Sequence, residues 1–322
     1  MADPDFEAPL SELQRRLDEL RAFPGDRTKE KEAARLAQEL EEKRREVFGR
    51  LTPWQKTLVA RNPNRPYTLD YVGALFTEWT EVHGDRRYGD DPALVCGFAL
   101  YKERPVAIVG HQKGRDTKQK IYRNFGMPKP EGYRKALRVM RLAAKFSRPI
   151  LAFVDTPGAY PGVDAEERGQ AEAIAFNLRE MAALPTPIVV TVTGEGGSGG
   201  ALAVAVGDRV NMLEHAVYSV ISPEGCASIL WRDAGRAEEA ATAMKITARD
   251  LKAMGLIDEI VPEPAGGAQV NPEEVYRTLD RVLAGQLREL AATKPAQLVA
   301  DRYEKFRAMG RADSEFLDQS VR

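Results

Sequence analysis

Two glycine-rich segments hold the residues of this 322-residue chain best suited to chemistry. Residues 155–169 read DTPGAYPGVDAEERG, and residues 194–203 read GEGGSGGALA, with five glycines in the first seven positions. Each follows an apolar run, PILAFV before the first and PIVVTVT before the second, and each leads into a helical pattern. Sites in open parallel sheets gather at the carboxyl ends of strands, so both segments are expected to border one cleft. Without a Cβ the backbone can touch a ligand directly. Gly199 and Gly200 sit where a helix opens, and the first amides of a helix have no internal partner. Such donors, reinforced by the helix dipole, suit an oxygen that becomes negative.

Side chains of the usual catalytic kinds are scarce. Neither segment contains histidine, and Ser198 has no histidine near it in sequence to activate it, so a serine nucleophile has little support. Asp155 and Glu195 are candidate acids, equally suited to capping or orienting a loop. Asp164, Glu166, Glu167 and Arg168 fit a helix start. The DTPG string also invites a nucleotide-switch reading. That chemistry needs a phosphate cradle of the form G-x-x-x-x-G-K-[ST], and no Gly-Lys-Ser or Gly-Lys-Thr occurs in the chain. What remains is a reaction that wants an anionic oxygen stabilised and obtains its base elsewhere.

The elements that must position these segments are legible in outline. Leu10, Leu13, Leu17 and Leu20, then Ala33, Leu36 and Leu40, form helical stripes over residues 10–48, a hairpin joined at Phe23-Pro24-Gly25. It packs on its own domain or reaches a partner. Shorter helices are expected near 53–60 and 68–82. Strands follow at Leu94–Tyr101 and Pro105–Gly110 around a Lys102-Glu103-Arg104 turn, with a basic helix over 131–147 and a buried strand over 149–155. A helix at 165–184 is expected to be capped by Asp164, followed by a strand at 187–193 and a small-residue helix in GGALAVAVG. Strands near 209–213, 216–221 and 256–261 surround a helix capped by Ser222 with Pro223 at its first position. Helices near 272–291 and 295–308 close the pattern. Repeated strand–helix–strand order from about 92 to 262 predicts an α/β fold with parallel strands. The expected division is a helical arm with a connecting helix at 1–64, a core at 65–265 and C-terminal helices at 266–322.

Charge and composition narrow the function class. The 47 basic and 48 acidic residues nearly cancel, which gives a nucleic-acid binder no global support. Two cysteines, Cys96 and Cys226, are too few for a disulfide framework, and no C-x-x-C pair points to zinc. The opening MADPDFEAPL lacks an apolar stretch, and no apolar run approaches about 18 residues, so a cytoplasmic protein without membrane spans is expected.

The strings YRNFGMP (122–128), EGYRKALR (131–138), DTPGAYPG (155–162), AEERGQAEAIA (165–175), GEGGSGGALA (194–203) and YSVISPEGCASILW (218–231) are long and specific. With them the chain resembles the α subunits of acetyl-CoA carboxylase carboxyltransferases, from about Arg65 to the NPEEVY string at 271–276 and in its helical arms. The resemblance implies a crotonase-like ββα superhelix carrying an N-terminal helical hairpin arm and C-terminal helices. It implies half of an active site, shared with a zinc-ribbon-containing β subunit in an α2β2 heterotetramer. It further implies a biotin carboxyl carrier protein as donor and biotin carboxylase in the full ATP-dependent complex. Carboxyl would pass from carboxybiotin, not covalently bound here, to acetyl-CoA, giving malonyl-CoA for fatty acid synthesis. Acetyl-CoA would be held mainly by the β subunit, where acyl preference should also lie. The biotin anion left behind can take the proton, which suits loops empty of histidine. On this resemblance the amides of Gly199 and Gly200 form the oxyanion hole. Gly158, Ala159, Tyr160, Gly196, Gly197 and Ser198 form the carboxybiotin-side loops, and no metal site is implied in this chain.

The basic stretch 111–138 offers Lys113, Arg115, Lys118, Arg123 and Arg134 as contacts for CoA phosphates or an acidic carrier; the alternative is a solvated surface with one basic helix. Two rival readings stay open. A self-contained acyl-CoA hydratase or isomerase of the same fold would need a carboxylate pair beside the hole. A non-catalytic nucleic-acid-binding scaffold would use the basic stretch and leave the glycines unexplained.

Overall fold

The computed structural model describes residues 6–22 and 25–310, so Phe23 and Pro24 of the expected hairpin junction lie outside the described residues. The arm is α1 (Ala8–Arg21) and α2 (Arg27–Phe48). Asp26 caps α2 by accepting the amides of Thr28 and Lys29. The predicted stripes meet: Leu10, Leu17, Leu36, Leu40 and Phe48 form an apolar cluster that also takes in Val59 of α3 (Pro53–Ala60).

Next come α4 (Thr68–Leu75) and β1 (Thr77–Glu81). The expected helix over 68–82 therefore stops at Leu75. Its second half, TEWTE, is rich in Thr and Trp and pairs with the following strand instead. Then follow β2 (Leu94–Tyr101), β3 (Arg104–His111), α5 (Thr117–Tyr122), α6 (Pro130–Lys145) and β4 (Ile150–Thr156). The helix expected over 165–184 is two, α7 (Val163–Glu167) and α8 (Gln170–Ala183). They break at Gly169, whose φ of 83° is left-handed. Asp164 lies inside α7 rather than capping it, and its carboxylate pairs with Lys129.

The second glycine segment also differs from expectation. β5 (Ile188–Gly197) keeps its extended path through Gly194–Gly197, and α9 (Ser198–Leu202) is a single short turn that does not extend through GGALAVAVG. The chain continues through β6 (Arg209–Leu213), β7 (Val217–Ser219) and α10 (Pro223–Trp231), the last capped by Ser222 as its sequence predicts. α11 (Ala237–Met244), α12 (Ala248–Ala253), β8 (Glu259–Val261), α13 (Pro272–Ala291) and α14 (Pro295–Ala308) complete it.

Among the described residues, eight strands form one sheet in the order β1-β2-β3-β4-β5-β6-β8, with β7 paired to the far end of β5. β1, β2 and β3 are antiparallel neighbours, and every pairing from β3 onward is parallel. β4 is buried along its whole length, as expected of a central parallel strand covered on both faces. Apolar residues of α6, α8, α13 and α14 join the same core, including Met140, Met181, Leu279 and Leu298. Arg302 of α14 is fully buried. It pairs with Asp208 and donates to the carbonyls of Met181, Leu184 and Thr186, fastening that helix to the sheet.

Candidate active site

The parallel pairing of β4 and β5 brings the two glycine segments together, as their strand-end positions predict. Register shifts between Val154 and Thr156, next to Asp155, whose carboxylate accepts the Glu195 amide at 2.9 Å. Gly194 leaves room for that carboxylate, since a Cβ there would lie 2.4 Å from Asp155 Oδ1. Further on, the two backbones touch. A Cβ at Gly197 would meet the Pro157 carbonyl oxygen at 2.2 Å, and one at Gly200 would meet Gly158 C at 2.5 Å and Ala159 N at 2.6 Å. Gly196 instead faces the Tyr218 ring, and Gly199 has ordinary clearance from Ile174. The glycines at 197 and 200 are thus required by contact between two main chains.

Ser198 adopts φ 49°, an uncommon conformation for a residue with a side chain, at the start of α9. Residues 198–200 are the first three of that turn, so their amides lack an intrahelical acceptor. The opposite wall is tied differently. Thr156 Oγ1 accepts the Gly158 amide at 3.1 Å, and the Tyr160 amide donates to the Pro128 carbonyl at 3.0 Å. Gln170 holds the same loop through the carbonyls of Pro128 and Tyr160. The amides at the start of α9 thus have no intrahelical acceptor, whereas those of Gly158 and Tyr160 are engaged within the chain.

Beneath the loops runs a chain of charges that the sequence did not assemble. Lys113, just past β3, reaches Asp155 at 2.7 Å and Glu195 at 2.9 Å. Glu195 also accepts from Arg61 Nε at 2.7 Å, and the Arg61 guanidinium continues to Glu224 at the start of α10. Burial disfavours charge on Glu195, but Lys113 and Arg61 outweigh it and hold the carboxyl at about 2. The same burial opposes charge on Lys113, and its two carboxylates overcome that and raise it above the ordinary lysine range. Glu195 is consequently an ionised partner in a salt bridge and a poor proton donor. His111 lies beneath Gly200. Burial depresses it to about 3, the carbonyls of Phe153 and Gly200 opposing only in part, and neither ring nitrogen makes a well-formed hydrogen bond. It is a neutral core residue.

Of the five basic candidates, Lys113 and Arg134 are corrected to internal roles, because buried cations need partners. Arg134 pairs with Asp85 and Glu131 in a largely buried cluster. Arg115 and Lys118 are exposed, Arg115 pairing with Asp70, and Arg123 is half-buried with a bond to the Pro92 carbonyl. Among the described residues no cluster of His, Cys, Asp and Glu could hold a metal ion. Beside Ser198 opens an apolar cleft of about 540 Å³. It is lined by Leu202, Tyr218, Ile221, Cys226 and Phe306 among others. Tyr218 and Cys226 stood in a recognisable string, but only the fold carries them to Ser198.

The architecture is that of the crotonase-like carboxyltransferases. A transcarboxylase 12S structure with methylmalonyl-coenzyme A bound superposes with a TM-score of 0.59 at 22% identity, covering 71% of this chain and 42% of that one. A Pseudomonas malonate decarboxylase hetero-tetramer in complex with coenzyme A gives 0.57 at 19% identity, covering 73% and 90%.

Sequence relatives are nearer. The acetyl-coenzyme A carboxylase carboxyl transferase subunit alpha of Syntrophotalea carbinolica is 59% identical over 95% of this chain and 97% of its own. That of Geobacillus kaustophilus is 54% identical over 100% and 99%. Residues 4–310 match the acetyl co-enzyme A carboxylase carboxyltransferase-like family, and the chain belongs to it.

Proposed function

We propose that this chain supplies the carboxybiotin-facing half of a split acetyl-CoA carboxyltransferase, as the α subunit beside a zinc-ribbon β subunit in an α2β2 assembly. The observation that carries the reading is the backbone seat of Gly200 on Gly158 and Ala159. It fixes the start of a helix whose first amides lack internal acceptors, in a site whose described carboxylates Asp155 and Glu195 are already committed to Lys113. Carboxybiotin, a substrate delivered on its carrier protein, supplies the carboxyl group and afterwards the base. The amides of Gly199 and Gly200 stabilise the negative charge that grows on the ureido oxygen; one such donor is worth about 10²–10³ in rate. Gly158, Ala159 and Tyr160 close the opposite wall, with Gly196, Gly197 and Ser198 forming the floor between them.

Acetyl-CoA, held mainly by the β subunit, receives the carboxyl and leaves as malonyl-CoA. Leu202, Val220, Ile229, Leu230 and Met254 are exposed on and beside the cleft, and a partner over this face would take that apolar surface out of water. Arg115, Lys118 and Arg123 are the surface charges available for CoA phosphates or an acidic carrier. The helical arm, whose described part carries its own apolar cluster, is a contact for the assembly beside the core at 65–265, and the described C-terminal helices up to residue 310 close that core. Biotin carboxylase completes the complex, in the cytoplasm; no described helix is long and apolar enough to cross a membrane.

The hydratase or isomerase reading is disfavoured because its acid would be Glu195, held ionised between two cations. The test is transfer of carboxyl from malonyl-CoA to a free biotin derivative by this chain, by the β subunit and by their mixture. Activity only in the mixture is expected. Full activity from this chain alone would overturn the split-site reading.

A further inference from the structure

We propose that Lys113 is a positioning residue, the common tie that holds the two glycine walls at their working separation. The inference rests on the carboxyltransfer reading of those walls. A single ammonium reaches Asp155 at the end of β4 and Glu195 near the end of β5, one carboxylate from each wall. Asp155 then accepts the Glu195 amide, so the tie is closed into a ring through the main chain. Two residues beyond Glu195, Gly197 lies against Pro157 with no room for a methyl group, and Gly200 lies likewise against Gly158. Any splaying of Asp155 from Glu195 is therefore carried directly into the spacing of the walls. Lys113 is itself enclosed by the Gly126 turn, where a Cβ would come within 2.6 Å of its Cγ. The residue touches no reacting atom; it acts through its two carboxylates.

Removing the ammonium leaves two buried carboxylates facing each other, which repel when both are charged and accommodate each other when they share a proton. The surrounding groups do not replace the lost charge. Arg65, Tyr67 and Tyr71 face Asp155, and the Arg65 guanidinium is already held by Glu263. Arg61 faces Glu195 but is shared with Glu224, and His111, which faces Lys113, is neutral. A Lys113→Met variant should therefore work best at low pH and lose activity as pH rises.

The experiment uses the complete α–β assembly, with malonyl-CoA and a free biotin derivative, across pH 6–9. K113M is expected to lose about 10²-fold in kcat, the cost of misplacing a site by roughly 1 Å. Its KM for malonyl-CoA should be little changed, and its kcat should decline with pH where the wild type does not. The double variant K113M/E195Q removes one of the facing charges. It should flatten the profile and recover part of kcat. Amide hydrogen exchange over 156–160 and 195–200 should speed up in K113M and slow again in the double variant. That readout needs no activity, so it tests the tie even if the carboxyltransfer reading fails. Unchanged kcat in K113M, or a loss that is independent of pH and not relieved by E195Q, would overturn the proposal. Should K113M fail to fold, exchange over the two segments that is faster than wild type in the double variant would support the tie, and wild-type exchange there would overturn it.

Discussion

Substituting alanine at Gly200 presses on the contact that defines the site. The new Cβ would lie 2.5 Å from Gly158 C, 2.6 Å from Ala159 N and 2.9 Å from Gly158 O, all main-chain atoms that no rotamer change can move. Carbon contacts settle at about 3.5–4 Å, so the walls must part by roughly 1 Å. Overpacking of that kind costs about 1–3 kcal/mol in stability. The effect on rate should be larger in proportion, because displacing one oxyanion donor costs about 10²–10³. Gly199 is the internal contrast, since a Cβ there meets only Ile174 at an ordinary 3.5 Å. Exchanging glycine for alanine in a helical turn gains up to about 1 kcal/mol.

The assay is kcat for carboxyl transfer in the α–β assembly, normalised to folded protein from thermal melts. G200A is expected to fold and to lose about 10²–10³ in kcat. G199A should melt no lower than the wild type and lose less than G200A by about tenfold or more. Wild-type kcat in G200A, or equal losses in both variants, would refute the reasoning from backbone contact.

Other expectations follow from the buried charges. Burial raises Glu263, but Arg65 and the His215 amide outweigh it and hold the carboxyl at about 2. Its unfolded value is about 4.3, so the stability it contributes is present above that pH and is lost as pH falls toward about 2. E263Q should shallow the acid limb of denaturant stability over that window. It should cost about 3–5 kcal/mol at pH 7 by leaving Arg65 unpaired, and an unchanged limb would contradict this. R302M removes a buried cation that binds Asp208 and three carbonyls, and chemical denaturation should show a loss of about 3–5 kcal/mol. A smaller change than for a surface arginine would count against that fastening role. K118E should raise KM for CoA substrate or carrier at low salt, with the difference vanishing at high salt. A difference indifferent to salt would remove the surface-charge reading.

The alternation of apolar runs with glycine-rich strand ends made β4, β5 and their shared cleft readable before any coordinates, because strand-end chemistry follows from the order of elements. α13 and α14 lie where helices near 272–291 and 295–308 are expected from the sequence. The end of α4 differs from the expected helix over 68–82 because TEWTE by itself can be helix or strand, and pairing with β2 decides it. The break at Gly169 was hidden inside a continuous helical pattern. The charge chain was invisible for a different reason. Arg61, Lys113, Asp155, Glu195 and Glu224 are spread over more than 160 positions, and only strand pairing brings them together. A lysine in a basic stretch looks like surface until the fold buries it.

The central claim is that this chain provides the biotin-facing wall. The most direct measurement is photo-crosslinking of a diazirine-tagged biotin derivative to the α–β assembly, with the adducts mapped by mass spectrometry. Adducts on residues 158–160 and 196–200, suppressed by untagged biotin derivative, are the predicted result. Adducts confined to the β subunit, with those two segments unlabelled, would contradict the account.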